Sequence, residues 1–275
     1  MLSYRHGFHA GNFADLLKHL VLVQIIDYLK TKPSPIRYID THSGAGLYAL
    51  SSEMSKKTGE FKSGIGAIDL STLPEGARVY GDLVGNYLTE DRYPGSPLIA
   101  ARLLRDQDEL RLFELHPREY ETLAPLFRKD RRVRVFCSDG YVSVKSQLPV
   151  QNARALVLID PSYELDSDYY KVLEAVKEGL RRMPNAVFAV WYPVVAPQPL
   201  QAMLKKLARL GGERLVRIEL QLETRSTSKG MRATGMLVIN GPWTLQETIR
   251  EPLQAIANEI RGVVCIDGVQ AGSRQ

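Results

Sequence analysis

The chain has 275 residues, of which 44% are hydrophobic and 24% charged. These are ordinary values for a globular protein, and the length suits one α/β domain with an insertion. No apolar run approaches the roughly 18 residues that a membrane helix needs, and the first residues lack the apolar core of a secretory signal, so we expect a cytoplasmic protein without a membrane partner. The net charge of +5 favours approach to polyanions without identifying one.

The predicted elements begin with a long helix from Asn12 to Lys30, where apolar residues recur at helical spacing until a proline-rich stretch ends them. Short apolar runs then alternate with helical patterns, which is typical of a parallel sheet covered by crossover helices. The predicted strands are 36–40, 110–114, 133–136, 155–160, 186–191, 214–222 and 234–240, the last two forming an antiparallel pair. The predicted helices between and after them are 97–107, 117–129, 167–182, 199–210 and 245–261.

This order predicts a mostly parallel, seven-stranded, Rossmann-like α/β sheet in a single domain that spans residues 1–275. About 70 residues separate the first two strands, where a crossover normally needs far fewer. We therefore interpret residues 47–93 as a small inserted helical subdomain.

Three successive predicted strands end in an acid, namely Asp40, Glu114 and Asp139. Asp40 runs into a turn that contains Gly44, and such turns at the carboxyl edge of a sheet bind nucleosides. The turn also matches a dinucleotide-binding pattern, so a dehydrogenase has to be considered; against it, a pyrophosphate there would meet the negative charge of Asp40. Glu114 could accept both ribose hydroxyls of a nucleoside, and Asp139 could accept an adenine amine while Gly140 lets the backbone approach.

The tetrapeptide Asp160-Pro161-Ser162-Tyr163 follows a buried strand and carries the most specific chemistry. An adenine N6 amine is a poor nucleophile because its lone pair is delocalised into the ring. The Asp160 carboxylate and the Pro161 carbonyl could accept its two hydrogens, while the Tyr163 ring could stack on the base. The tetrapeptide therefore indicates methyl transfer to adenine N6.

The chain resembles the 23S ribosomal RNA adenine-N6 methyltransferase J family over nearly its whole length. Asp160-Pro161-Ser162-Tyr163 resembles the Asp-Pro-Pro-Tyr motif of adenine-N6 methyltransferases, with Ser162 in place of the second proline. The resemblance to the J family is carried by residues 2–12, 14–15, 17–19, 40–42, 93–100, 114–117, 191–195 and 235–236.

The resemblance implies a class I S-adenosylmethionine-dependent fold, S-adenosylhomocysteine as the product, and 23S rRNA as the substrate, methylated at adenine 2030. We expect the RNA to be naked or in an early assembly particle, and the enzyme to be a monomer that needs no metal. The implied cofactor residues are His19, His42, Ser96, Glu114, Asp139, Gly140 and Asp160, to which the strand-end analysis adds Asp40 and Gly44.

Several cations and one aromatic residue are candidates for contacts with the RNA. Tyr4 is a substrate contact by the resemblance, and Arg5 and His6 lie beside it. Arg225, Lys229 and Arg232 lie in a polar loop between the last two predicted strands and could hold phosphates. The full set of predicted substrate residues is Tyr4, Arg5, His6, Lys18, Arg225, Lys229 and Arg232.

Other functions stay open at this point. A DNA adenine-N6 methyltransferase would share the Asp160 tetrapeptide, although no second domain large enough to read a duplex is evident. A non-catalytic RNA-binding protein would use the same basic residues without needing the acids. The histidines lack a zinc-like spacing. Cys137 and Cys265 are expected to be reduced and buried.

Overall fold

The structure, a computed structural model, describes residues 5–195, 197–223 and 231–268. Its centre is an eight-stranded sheet, so the predicted mostly parallel α/β fold is confirmed and the count of seven strands is wrong by one. The eight strands are β1 (Ile36–Asp40), β4 (Glu109–Phe113), β5 (Val133–Phe136), β6 (Arg154–Ile159), β7 (Val187–Pro193), β8 (Leu215–Leu222), β9 (Ala233–Ile239) and β10 (Gly262–Gly268). A separate antiparallel pair is formed by β2 (Leu47–Ala49) and β3 (Arg92–Pro94).

The strand order in the sheet is β10-β8-β9-β7-β6-β1-β4-β5. Strands β1, β4, β5, β6 and β7 are mutually parallel, whereas β9 enters antiparallel between β7 and β8. The carboxyl ends of the parallel strands therefore meet at one edge of the sheet, where ligands bind in open α/β folds.

Ten helices flank the sheet within the described ranges. They are α1 (Phe13–Lys30), α2 (Glu53–Thr58), α3 (Glu75–Leu88), α4 (Ser96–Leu103), α5 (Pro117–Leu126), α6 (Gly140–Gln147), α7 (Asp166–Arg182), α8 (Pro197–Gly211), α9 (Leu245–Thr248) and α10 (Arg250–Glu259). The predicted helix 245–261 is thus two helices followed by β10. No described helix has both the length and the apolar composition to cross a membrane.

Helix α1 is the buried centre of one layer. Asn12 caps it, because its side-chain oxygen accepts the backbone N–H groups of Ala14 and Asp15 at 3.0 and 3.1 Å. The helix packs on β9 and β8 and is covered by α3, α4 and α10. Most of its residues are apolar because the helix is buried on nearly all sides, and the same burial brings Asp15, Lys18 and His19 into the interior.

Residues 47–93, predicted as an inserted subdomain, begin in β2 and end in β3, and α3 lies between. Buried residues of this segment, among them Tyr80 and Tyr93, belong to the same hydrophobic core as α1. The segment is therefore joined to the main core by packing, while its status as a subdomain stays a prediction.

The cysteine prediction is half right. Both Cys137 and Cys265 are free thiols, but both are exposed rather than buried. Cys137 follows the edge strand β5, and Cys265 lies on the opposite edge strand, β10, so neither has a neighbouring strand to cover it on that side.

Candidate active site

A cavity of about 470 Å³ lies at the carboxyl ends of β1, β4, β5 and β6, under α1 and the segment before it. The volume is in the range of small-molecule and cofactor sites. Eleven of the predicted site residues line it: His6, Lys18, His19, His42, Gly44, Ser96, Glu114, Asp139, Gly140, Asp160 and Pro161. The fold therefore brings together residues that are as far apart in the sequence as His6 and Pro161.

Asp160 directly follows β6 and is joined to α1 by a buried network of ionic contacts. Its Oδ2 lies 2.6 Å from the Nζ of Lys18, which also lies 2.8 Å from the Oδ1 of Asp15. The second oxygen of Asp15 bonds the Nε2 of His6 at 2.9 Å and accepts the N–H of Gly11 at 2.9 Å. Lys18, predicted as an RNA contact, is thus committed to two carboxylates.

The charged groups of this ionic network shift one another's pKa. Burial raises the pKa of Asp160 above its ordinary value, although the ammonium of Lys18 and His6 oppose that shift. Burial also opposes the charged form of Lys18, but Asp15 and Asp160 outweigh it and raise the pKa of Lys18. Lys18 is therefore an ammonium at neutral pH and favours the carboxylate form of Asp160.

Glu114, just after β4, joins the loop after β1 to the loop after β4 through hydrogen bonds. Its two oxygens accept the backbone N–H groups of Gly44 and His116, each at 2.7 Å. Burial raises the pKa of Glu114, and these two bonds oppose the rise. Because each carboxylate oxygen has a second lone pair, Glu114 keeps acceptor capacity toward the cavity.

Asp139 caps α6, and its Oδ1 accepts the N–H groups of Tyr141 at 2.8 Å and Val142 at 3.3 Å. The adjacent Gly140 lies against the loop after β1, since a Cβ there would stand 1.8 Å from the carbonyl oxygen of Thr41. The glycine is thus needed for the approach of two backbone segments.

Asp40 is fully buried behind the wall of the cavity and does not line it. Its Oδ2 accepts the hydroxyls of Ser96 and Tyr38, each at 2.7 Å, and its Oδ1 accepts the N–H of His42 at 3.3 Å. Burial raises the pKa of Asp40 to about 6 against these bonds. Asp40 thus orients Ser96 and the His42 loop, which do line the cavity.

The two predicted cofactor histidines are both neutral at physiological pH. Burial lowers the pKa of His19 to about 3, and it lowers that of His42 to about 3 as well. His42 Nδ1 bonds the hydroxyl of Thr41 at 2.7 Å, and its ring meets Tyr141 edge-on with centroids 4.7 Å apart.

Tyr163, predicted to stack on the base, does not line the cavity. Its ring packs on Tyr169 with centroids 4.6 Å apart, and its hydroxyl donates to the carbonyl of Trp191 at 2.7 Å. Tyr163 also has a positive φ of 52°, which turns the loop after Pro161. The ring is held against the core on the far side of the loop.

The residues predicted to contact RNA lie in different surroundings. Arg5 is ion-paired with Glu119 at 2.9 Å, and the exposed Arg232 lies at the start of β9, at the same edge of the sheet as the cavity. Tyr4, Arg225 and Lys229 lie outside the described residues.

Some residues of the cavity wall were not predicted from the sequence: Tyr48, His116, Glu119, Tyr141, Asp168 and Lys171. Glu119 lies in the first turn of α5, where an acid is expected simply to complement the helix dipole. Tyr48 reaches the wall through β2, and its hydroxyl oxygen accepts the N–H of Ala45 at 3.1 Å. No local pattern distinguishes either residue, because the fold alone brings them to the cavity.

The wall also suits a polar organic ligand. Two buried polar atoms of wall residues, His19 Nε2 and His116 Nδ1, have no hydrogen-bond partner in the described part of the chain. Buried polar groups of this kind are normally satisfied by water or a ligand. Among the described residues, no group of three or more His, Cys, Asp or Glu is arranged to hold a metal ion.

The chain is similar to a protein family, to two curated proteins and to a solved structure. A family model described as ribosomal RNA large subunit methyltransferase D, RlmJ, matches residues 33–265. The ribosomal RNA large subunit methyltransferases J of Haemophilus influenzae and Escherichia coli are 48% and 45% identical to the chain, with 92% of each sequence covered. A crystal structure of a Legionella pneumophila protein superposes with a TM-score of 0.89 at 34% identity, over 96% of this chain and 99% of that one.

Proposed function

The chain belongs to the RlmJ family of ribosomal RNA large subunit methyltransferases, and from this we propose that it transfers a methyl group from S-adenosylmethionine to the N6 amine of an adenine in 23S rRNA. The curated relatives are named for ribosomal RNA of the large subunit, which supports the substrate class. Adenine N6 as the acceptor and position 2030 as its place rest on the resemblance and on the chemistry of the cavity.

The observation that carries the proposal is the position of Asp160-Pro161 in the same cavity as Glu114, Asp139 and Gly140. The carboxylate of Asp160 and the carbonyl of Pro161 would accept the two N6 hydrogens and let the nitrogen become pyramidal as it attacks. A carboxylate fixed by Lys18 at 2.6 Å loses little freedom on accepting such a bond, so it is organised before the base arrives.

The same cavity offers the groups that would hold the cofactor, which when bound supplies an electrophilic methyl group on its sulfonium. Going along the sheet, Asp139 and Gly140 after β5 would meet the adenine end, Glu114 after β4 the ribose, and Gly44 with Ser96 near the end of β1 the amino-acid end. Asp160, after β6, stands next in the strand order, where the target base has to lie.

Lys18 and Tyr163 take different roles from those that the sequence suggested. In the proposal Lys18 keeps Asp160 ionised, and Tyr163 anchors the base-holding loop through its bond to Trp191. Stacking of the Tyr163 ring on the base stays a prediction from the tetrapeptide, and it would require the ring to leave Tyr169.

The test is a labelling experiment with defined acceptors. The protein is incubated with radiolabelled S-adenosylmethionine and, separately, with naked 23S rRNA, assembled large subunits and duplex DNA, each from cells that lack the enzyme. We expect N6-methyladenosine in nuclease digests of the naked RNA. Label in DNA alone, or in another nucleoside, would contradict the proposal, and Asp160→Asn serves as the matched inactive protein.

A further inference from the structure

A chain of buried hydroxyls leads from the 47–93 segment to the cavity. The Tyr80 hydroxyl, on α3, lies 3.3 Å from the Tyr93 hydroxyl on β3, which lies 2.8 Å from the Nδ1 of His19 on α1. All three side chains are fully buried. The other ring nitrogen of His19, Nε2, belongs to a wall residue and has no partner in the described ranges.

Counting hydrogens determines the direction of this chain. If His19 donated from Nδ1 to Tyr93, the Tyr93 hydrogen would go to Tyr80, and the Tyr80 hydrogen would be left without an acceptor, since Tyr93 is the one hydrogen-bond partner of Tyr80 among the described residues. A buried donor without an acceptor destabilises the protein. In the opposite direction Tyr80 donates to Tyr93 and Tyr93 donates to Nδ1, so the one hydrogen without a protein acceptor is on Nε2 of His19. His19 lines the cavity, where a ligand can supply that acceptor, whereas Tyr80 does not.

The second direction places the only ring hydrogen of neutral His19 on Nε2. His19 is neutral because burial lowers its pKa to about 3, with Lys18 and His6 adding to the effect and Asp15 opposing it. The cavity wall then presents a buried, uncharged N–H group, held at a fixed angle by Tyr93. A donor of this kind is unsatisfied until a ligand supplies an acceptor.

The acceptor is a group of the cofactor at the end of β1. His19 is hydrogen-bonded to Tyr93. Ser96, close after Tyr93 in the sequence, lines the cavity and donates its hydroxyl to Asp40 at the end of β1. The proposed function assigns this part of the cavity to the amino-acid end of S-adenosylmethionine, whose carboxylate is its only anionic group. A neutral N–H donor to a carboxylate is a charge-assisted hydrogen bond.

We propose that Tyr93, supported by Tyr80, is a positioning residue that fixes His19 in the Nε2–H tautomer, so that His19 donates to the carboxylate of the bound cofactor. The 47–93 segment thereby contributes to cofactor binding through two tyrosines. This inference rests on the proposed function only for the identity of the cofactor, and RNA has no part in it.

The first test measures ligand affinity by calorimetry. S-adenosylhomocysteine carries the amino-acid end, whereas 5′-methylthioadenosine lacks it. We expect Tyr93→Phe to weaken S-adenosylhomocysteine about 5- to 20-fold, the loss of one well-placed hydrogen bond, and to leave 5′-methylthioadenosine unchanged. Tyr80→Phe should have a smaller effect, because Tyr93 keeps its hydrogen for Nδ1. Tyr87→Phe is the matched control on α3, since its hydroxyl bonds Arg102 instead.

The second test reads the tautomer directly. Long-range ¹H–¹⁵N correlation of the histidine rings should show His19 with the hydrogen on Nε2 in the parent protein, and a loss of this single form in Tyr93→Phe. His19 is assigned by the signals that are missing from His19→Asn.

Three results would overturn the inference: an Nδ1–H tautomer in the parent, an equal loss of both ligands in Tyr93→Phe, or unchanged affinity for both. These outcomes are separate from failure of the proposed function. A parent protein that does not bind S-adenosylhomocysteine would reject the cofactor itself, whereas failure to methylate RNA would leave both readouts unaffected.

Discussion

Asp160 has a fixed ionic partner on one side and the cavity on the other. Lys18 is held by Asp15 and lies against Asp160, so its ammonium favours the carboxylate form of Asp160 although burial raises the pKa of that acid. Such a pair keeps an acceptor in place without the reorganisation that water would require. The sequence predicted Asp160 from its tetrapeptide, but it gave no sign of Lys18 as the partner, because the two residues are 142 positions apart.

The first prediction concerns Asp160→Asn, which keeps the shape and removes the charge. We expect kcat to fall about 10²- to 10³-fold, as when a group that stabilises the transition state is lost. The Kd of S-adenosylhomocysteine should stay within about tenfold, because the lost acceptor acts on the target amine. Single-turnover methylation and calorimetry check the two parts.

The control is Asp166→Asn, which removes an exposed acid at the start of α7. Near-parental turnover by Asp160→Asn would reject Asp160 as the acceptor. A large loss of cofactor affinity would instead move its role to cofactor binding.

Glu114 allows a separate prediction about the cofactor. Glu114→Ala should weaken S-adenosylhomocysteine binding by about 1.5–3 kcal/mol, the usual loss for a hydrogen bond to a charged group. The change also frees the N–H groups of Gly44 and His116, which adds to the loss. Calorimetry measures this loss, with the exposed Glu121→Ala on α5 as control. Equal affinities of Glu114→Ala and the parent would contradict the ribose role.

Among the elements, helices and strands with a strong pattern were predicted well and weakly patterned ones were missed. The apolar repeat of α1 and the run of β6 are both buried, and burial is what periodicity reports. Strand β10 contains a short apolar run at 263–266 that was not predicted as a strand, whereas α6 has almost no apolar face and therefore gives no hydrophobic signal. Their positions follow from pairing with β8 and from the Asp139 cap, which are tertiary and capping effects.

The close contact between α6 and the loop after β1 gives a prediction at this scale. Gly140→Ala would place a Cβ 1.8 Å from the carbonyl oxygen of Thr41, which is backbone and cannot rotate away. We expect a loss of at least about 1–3 kcal/mol in the free energy of unfolding, as for other overpacked sites. Urea denaturation measures it.

Gly85→Ala provides the comparison, because the new Cβ would meet the Leu70 side chain at an ordinary 3.4 Å. In that helical site alanine should stabilise the protein by about 0.5–1 kcal/mol. Equal stability of the Gly140→Ala variant and the parent would mean that the loop after β1 yields easily, contrary to its packing against the sheet.

A pH-dependent contact joins the N-terminal segment to the 47–93 segment. His9 Nδ1 lies 3.0 Å from Glu60, and this hydrogen bond raises the pKa of His9 against the effect of burial. Burial would raise the pKa of Glu60, but His9 and Asn12 lower it. The stabilisation by His9 is complete below its ordinary pKa of about 6.5 and is lost as pH rises through the higher folded value, whereas that by Glu60 is lost below about 4.5.

His9→Gln should therefore destabilise the protein most between about pH 4.5 and 6.5 and hardly at all near pH 9. Both side chains are more than a third exposed, so we expect a difference of about 0.2–1 kcal/mol. Urea unfolding of parent and variant at pH 6 and pH 9 measures it. A difference that is the same at both pH values would assign the effect to packing.

At the scale of the whole molecule, cations lie at both edges of the sheet. The cavity and Arg232 lie at the carboxyl edge of the parallel strands, whereas Arg128, Lys129 and Arg131 come before β5 and lie at the amino edge. The sequence could not separate these sets, because both are simply clusters of cations. The strand directions do separate them, and they favour the carboxyl edge for RNA contact, since in the proposed function the adenine reaches Asp160 at that edge.

The last prediction compares these two edges. Replacing Arg225, Lys229 and Arg232 with Ala should raise the apparent KM for RNA and reduce the slope of log affinity against log salt concentration by up to about 2, since three contacts to single-stranded phosphates release about 0.7 counterions each. The first two lie outside the described residues, so their part rests on the sequence.

The matched control replaces the exposed Arg128, Lys129 and Arg131, which removes the same charge from the opposite edge. Because overall charge changes equally in both variants, a smaller slope in the first alone would identify contacts beside the cavity. A reduced slope in the control alone would place the RNA at the amino edge, where no adenine could reach Asp160 without a second contact, and would contradict the proposed direction of approach.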